Sequence, residues 1–326
     1  MATMAGMMSR PDVPRPSANS DIMIVSGGDA VYFPLIDELR RSIAAAFPDD
    51  SPAFGVIDAG LLPEQTERLR ASGVSVARVP DDPAMPAAAL RKRPALAANF
   101  GKLWLDRMFP GYEVLVWLDA DTWVQDAAAV RMMAGAARTG ALAIVPGGGR
   151  FGARPMRIRW LLGGLFGLAQ IRSFNFKNGR HAGLSLAILR DLGSRSLLNA
   201  GAFGLRADAA HWEVMRKWQT FVLRRGKPFT SDQIAIALTI YTDGLPVELL
   251  PDTCNHLGPY RFDPDEPALL EFWYPYPKVG IIHLANQEQL RFDPAATVTL
   301  LDIENRPHQV NPRYGLLQAA ARGRVS

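Results

Sequence analysis

Two acids one residue apart carry the strongest chemical signal in this chain: Asp119 and Asp121, in Trp117-Leu118-Asp119-Ala120-Asp121-Thr122. They follow Val114 to Leu118, an unbroken apolar run of strand length. Two like charges at the end of a buried strand are costly without a counter-cation, and a divalent metal removes that cost. Carboxylates suit hard ions, so Mn²⁺ or Mg²⁺ is the expected cofactor. The alternative is that one acid caps the next helix while the other is solvated. Much later, His283 lies in the apolar run Gly280-Ile281-Ile282-His283-Leu284. A neutral imidazole there would be a third metal donor, or else a hydrogen-bonded core histidine.

Four other places have residue types suited to a ligand, each with a structural alternative. Ser26-Gly27-Gly28-Asp29 ends the first apolar run of the chain, and Asp58 ends the second. Lys102 stands one predicted helix before the acids, where its cation would reach a sugar or diphosphate, or simply face solvent. Asn199-Ala200-Gly201 is a small-residue stretch that lets backbone approach a ligand closely, or makes a tight turn. Ser231-Asp232-Gln233 opens a helix, as caps or as site residues.

These residues need a scaffold, and the first two-thirds of the chain supplies an alternating pattern. Apolar runs at 22–25, 54–57, 74–79, 114–118 and 141–145 read as strands. Between them, Phe33, Ile36, Leu39, Ile43 and Phe47 recur at helical spacing. Further helices are expected over 94–109 and 126–137. Alternation of this kind predicts an α/β fold, a mixed, mostly parallel central sheet flanked by helices. Fully apolar strands suit its buried middle. Ligands of such sheets bind at the carboxyl ends of the strands, where Asp119 and Asp121 stand. Beyond it the pattern loosens. Residues 146–180, rich in Gly and Arg, read as a long connection, of which about 150–180 would close over a bound ligand and exclude water. A strand at 202–205, a helix at 207–224 and strands at 246–250 and 279–284 follow.

The 326 residues are 48% hydrophobic, enough for a sizeable core. A formal net charge of +4, from 36 Lys and Arg against 32 Asp and Glu, does not make a nucleic-acid footprint, and no nucleic-acid partner is expected. The single cysteine, Cys254, excludes an intrachain disulfide, and a cytoplasmic setting is expected. Residues 1–19 read as a disordered leader. The apolar stretch Trp160 to Ile171 is shorter than the roughly 20 residues a membrane-spanning helix needs. It is flanked by Arg157, Arg159 and Arg172, so 157–172 reads either as a buried segment or as a peripheral contact with the inner membrane face. No full glycine fingerprint, P-loop or nucleophile elbow is present, which removes support for a dehydrogenase, NTPase or α/β-hydrolase.

The ordered set of motifs resembles the GT-A (Rossmann-like) glycosyltransferases, and within them the family 8, glycogenin-like group. The resemblance spans about residues 20–290. It implies a metal-dependent hexosyltransferase that uses a nucleotide-sugar, by resemblance a UDP-sugar, with retention of configuration. It also implies roles: Asp119, Asp121 and His283 on the metal, with Asp119 also near the ribose, and Ser26, Gly27 and Asp58 on the nucleoside. Lys102, Asn199, Ala200 and Gly201 would contact the donor, while Asp232 and Gln233 would stand at the reacting face. Residues 20–146 would be the nucleotide-sugar half, 147–295 the acceptor half of the same domain, and 296–326 a C-terminal tail. The acceptor, whether saccharide, lipid-linked or protein, is left open. The chain departs from the group after His283, where Leu284-Ala285-Asn286-Gln287-Glu288-Gln289 lacks its Gly and Lys; Arg291 is the nearest cation that could substitute. An inverting transferase, a sugar-phosphate nucleotidyltransferase and a non-catalytic binding relative remain alternatives. The nucleotidyltransferase lacks the basic glycine loop expected after its first strand.

Overall fold

The computed structural model describes residues 21–80, 85–147, 156–167 and 169–322. The expected leader, residues 1–19, lies outside them. In chain order β1 (Ile22–Gly28), α1 (Phe33–Ala46), β2 (Ala53–Asp58), α2 (Pro63–Ala71) and β3 (Ser75–Ala77) open the fold. The short helices α3 (Ala87–Lys92), α4 (Leu96–Gly101) and α5 (Leu105–Met108) follow, then β4 (Val114–Leu118), β5 (Thr122–Val124), α6 (Ala127–Arg138) and β6 (Leu142–Gly147). Next come β7 (Met156–Trp160), β8 (Ala169–Ser173), α7 (Phe174–His181), α8 (Leu186–Ser194), β9 (Leu197–Arg206), α9 (His211–Leu223), α10 (Ser231–Tyr241) and β10 (Val247–Leu249). The last part holds β11 (Tyr260–Asp263), β12 (Ala268–Glu271), β13 (Ile281–His283), α11 (Glu288–Phe292), β14 (Val298–Leu301), β15 (Pro307–Val310) and α12 (Tyr314–Arg322).

The central sheet has seven strands in the order β10-β6-β9-β4-β1-β2-β3. All neighbours are parallel except β9, which is antiparallel to both β4 and β6. The mixed, mostly parallel α/β sheet expected from the alternation is therefore present. Because β9 inserts between β4 and β6, residues before and after 147 share one sheet.

Side chains of successive strand residues point to opposite faces, so each apolar strand feeds two cores. Ile22, Ile24, Val114, Val116 and Leu118 pack with Ile36 and Leu39 of α1 and Val130 and Met133 of α6. Met23, Val25, Leu115 and Trp117 point the other way, onto Trp212 of α9 and Ala235 and Ile236 of α10. A third core, around Trp123, Phe262, Leu269 and Ile282, underlies the four-stranded sheet β12-β11-β14-β15.

Three expectations are corrected. The helix expected over 94–109 is split, with Lys102 at the C-cap of α4 and Trp104 at the N-cap of α5. A side chain at Gly101 would meet Ile57 and Val79, so glycine is what lets this segment press onto β2. The connection expected over 146–180 carries the antiparallel hairpin β7–β8 and helix α7 instead. The tail expected at 296–326 supplies β14, β15 and α12, and Arg313 pairs with Glu38 of α1 at 2.7 Å in a buried contact. Among the described residues, no helix is long and apolar enough to cross a membrane.

Candidate functional site

The chain turns sharply after β4 and re-enters as β5, which pairs antiparallel with β13 in the register Thr122 opposite His283. That pairing places His283 beside Asp121, and the Leu284 N–H donates to the Asp121 carbonyl at 2.9 Å. Strand β9 closes the floor, its Gly201 carbonyl accepting from the Asp119 N–H at 2.8 Å. A Cβ at Gly201 would sit 2.3 Å from His283 Cε1, so only glycine lets β9 pass under the imidazole. Asn199 braces this stretch of β9, its Oδ1 accepting from the Gly201 N–H.

Asp119, Asp121 and His283 each offer a donor atom, and these atoms lie within 4.8 Å of one another. His283 Nε2 is 3.4 Å from Asp121 Oδ1 and 3.9 Å from Asp119 Oδ2. Ligands around an Mg²⁺-sized ion, bound at about 2.1 Å each, lie roughly 3 to 4 Å apart, so the set fits a hard divalent cation. His283 Nδ1 lies 2.8 Å from Asn255 Oδ1. A carbonyl oxygen accepts, so Nδ1 carries the proton and Nε2 presents its lone pair to the carboxylates.

Charge in the site is unbalanced. Lys102 Nζ sits between Asp119 Oδ1 and Asp232 Oδ2, 3.0 Å from each, and stacks on Trp117. Arg291 reaches Asp121 Oδ2 at 2.6 Å, while its Nε is buried without a partner. Three carboxylates against two cations leave one negative charge unbalanced when His283 is neutral, and a bound cation would offset it. Burial works against the charged forms of Lys102, Asp121, His283 and Asp232; opposite charges win in the first three, while Asp232 is raised because burial outweighs the pull of Lys102. Lys102 is pushed above an ordinary lysine by Asp119 and Asp232. Asp121 is held down at about 2, against burial, by His283 and Arg291. His283 is raised, against burial, chiefly by Asp121.

Above this floor lies an open cleft of about 520 Å³, bordered by Gly27, Tyr32, Arg93, Asn99, Phe229 and Asn286 as well as Asp119, Asp121 and Arg291. Gly27 was expected here, and its bareness is required: a Cβ would press on Ile57 and Ala98. The other sequence-predicted residues are placed differently. Lys102 is only 2% exposed and lies beneath the acids rather than on the cleft. Asp232 is buried in its ion pair with Lys102, and Gln233 Nε2 donates to the Leu198 carbonyl at 2.9 Å. Ser26 is fully buried inside β1. Asp58 borders a separate hollow behind α4, with Arg78, Met85 and Leu90. Its carboxylate accepts from the N–H groups of Gly60 and Leu61 and from Arg78 Nε. Within 156–180, no described residue borders the cleft.

Sequence reasoning missed Asn255, whose role depends on a partner 28 residues away across the β13 pairing. It also missed the aromatic side chains Tyr32 and Phe229 on the cleft. Arg93 stacks over the exposed ring of Phe229, 5.0 Å from its centre. Arg291 was in view only as a stand-in for an absent lysine.

No protein-family model matches the chain. No curated protein matches it in sequence. Among solved structures it is similar to the galactosyltransferase LgtC in complex with donor and acceptor sugar analogues, at 16% identity and a TM-score of 0.45, covering 72% of this chain and 74% of LgtC. An active-site mutant of LgtC aligns at 14% identity and a TM-score of 0.46, over 80% and 86% of the two chains. The bifunctional glycosyltransferase WbbM, in its apo form, aligns at 17% identity and a TM-score of 0.49, over 83% of this chain and 47% of its own.

Proposed function

We propose that this chain is a metal-dependent glycosyltransferase of GT-A type that moves a hexose from a nucleotide-sugar, a UDP-sugar by resemblance, to a saccharide or other hydroxyl acceptor. One observation carries the reading: Asp119, Asp121 and His283 converge at the carboxyl end of a central strand, under an open cleft. A divalent ion held there, Mn²⁺ or Mg²⁺, supplies Lewis-acid stabilisation of the charge that forms on a departing diphosphate.

The chain's own residues divide the remaining work. Asn255 orients His283, and Lys102 fixes Asp119 and Asp232 relative to each other. Arg291 and Arg93 put two cations on the cleft, where anionic phosphate oxygens would be bound. Phe229 and Tyr32 offer ring faces to a base or sugar. Retention is supported by the pinning of Asp232, which leaves it no free carboxylate to act as a base toward the acceptor. Asp252 stands in the short turn 252–254 and does not border the cleft. Glu288 is the exposed acid on the cleft and the residue an inverting mechanism would use.

A second reading is favoured by the Arg291–Asp121 contact, which already neutralises one metal-binding acid: a binding relative that holds nucleotide without turnover. Release of nucleoside diphosphate from a panel of UDP- and GDP-sugars, with Mn²⁺ or EDTA, separates the two. The transferase reading expects Mn²⁺-dependent release that Asp121→Ala abolishes. Folded protein that binds donor but turns none over with metal present would support the binding relative. The anomeric configuration of the product decides retention against inversion.

A further inference from the structure

Away from the cleft, the β7–β8 hairpin carries a surface that the reaction does not use. Strand β7 pairs only with β8 among the described strands, and β8 rests on α7 and α8. Trp160 at the end of β7 and Leu161, Leu162 and Leu165 just after it are exposed to solvent, Leu162 at 72% and Leu165 at 61%. Contiguous apolar exposure of this kind marks a contact surface, because water penalises leaving it bare. Among the described side chains of 159–180, every exposed charge is positive: Arg159, Arg172, Lys177 and Arg180. The sequence reinforces this, with no Asp or Glu anywhere between Asp126 and Asp191 in a chain that has 32 of them.

We propose that the 159–172 hairpin is a membrane-surface anchor that inserts its Trp–Leu tip into an anionic lipid interface, with the flanking arginines and lysine on the headgroups. The combination selects the partner. A nucleic acid would use the cations but not the exposed leucines. A second copy of this chain, docked tip to tip, would bring the same cations together unneutralised. An anionic bilayer accommodates both parts: apolar side chains enter the acyl boundary, tryptophan sits at the headgroup level, and the cations meet phosphate. The proposal is independent of the reaction carried out at the cleft.

The test is flotation of the full-length protein with vesicles of phosphatidylcholine alone or of equimolar phosphatidylcholine and phosphatidylglycerol, at physiological and high salt. Wild type is expected to float with the anionic vesicles, and less so at high salt. Trp160→Ser with Leu162→Ser is expected to weaken binding by at least about tenfold. Arg159→Gln with Arg172→Gln is expected to weaken it by about fivefold per arginine on anionic vesicles only. Leu249→Ser, an exposed apolar position elsewhere, is expected to leave binding unchanged. All these sites are on the surface, and matching circular dichroism and melting curves establish that the variants fold. Equal binding to both vesicle types, or hairpin variants that bind like wild type, would overturn the proposal. So would light scattering that shows a wild-type dimer which the Trp160/Leu162 variant dissolves, since the tip would then serve self-association.

Discussion

Two hollows lie on either side of α4, and both have an aspartate at the carboxyl end of a parallel strand. On one side Asp119 and Asp121 follow β4; on the other Asp58 ends β2. Position in the sheet does not distinguish them, but the use of their oxygens does. Asp58 is consumed locally: two backbone N–H groups of its own turn and Arg78 take up its lone pairs. Asp119 takes one local donor, the Trp117 Nε1–H at 2.7 Å, but the turn re-enters at once as β5 and faces both acids toward His283 across a strand pair. Their charge is met by long-range cations, Lys102 and Arg291, and the balance is incomplete. A carboxylate at a strand end becomes a ligand site when its own loop leaves it unsatisfied.

The largest expected effect follows from removing that charge. Asp121→Asn should lower Mn²⁺ affinity, read by titration calorimetry, by more than the roughly 10–100-fold typical of losing an outer-shell partner. It also leaves Arg291 buried without its carboxylate, so a lower melting temperature is expected as well, as for a broken buried pair at about 3–5 kcal/mol. Unchanged metal affinity would mean that the two strand-end acids are as inert as Asp58.

Next comes the orientation of the histidine. Asn255→Ala removes the acceptor that holds the Nδ1 proton, so His283 is free to turn or change tautomer. A loss of about 10–100-fold in metal affinity is expected, with only a modest change in melting temperature. A purely structural role would show the reverse pattern.

What the sequence made legible follows the same division. The buried strand 114–118 and its acids were readable because an unbroken apolar run and a charged pair cannot share a core without a reason. His283 was readable as a polar residue within an apolar strand. Lys102 was expected on a helix that continues, but α4 ends at the Gly101 contact with β2, which turns the lysine under the acids. Asn255 was invisible because no local pattern encodes that His256, its neighbour, will bridge to Ile282 of β13. The 296–322 segment was invisible because β14 and β15 are four residues each and gain their core from β11, β12, β13 and Trp123, distant in the chain. Asp58 was singled out by strand-end position alone, which does not reveal that Gly60, Leu61 and Arg78 take up its oxygens.

Proton competition gives a smaller and graded effect. Metal binding needs His283 neutral, while Asp121 raises its pKa above the ordinary 6.5 against the pull of burial. Mn²⁺ affinity should therefore fall as pH drops through that raised value, approaching about tenfold per pH unit for the one proton displaced. Without metal the sign reverses. A raised folded pKa contributes stability that is fully present below the unfolded value and is lost as pH rises through the folded one. Calorimetry with Mn²⁺ and melting curves in EDTA should slope in opposite directions, and parallel slopes would remove His283 from the ligand set.

The smallest effect belongs to the other hollow. Asp58→Ala should cost about 1–2 kcal/mol of stability by unsatisfying the Gly60 and Leu61 N–H groups. Burial raises the Asp58 pKa, but those N–H groups and Arg78 lower it further, so the net shift is downward. Its contribution is thus present above the ordinary carboxylate value of 3.8 and is lost as pH falls through the folded one. The acid limb of the melting profile should flatten in the variant while Mn²⁺ affinity stays at the wild-type value. If Asp58→Ala instead abolished nucleotide binding in a protein that still folds and binds metal, the hollow behind α4 would be part of the ligand site. The contrast between a satisfied and an unsatisfied strand-end carboxylate would then fail, since a residue consumed by its own loop would still be recognising a ligand.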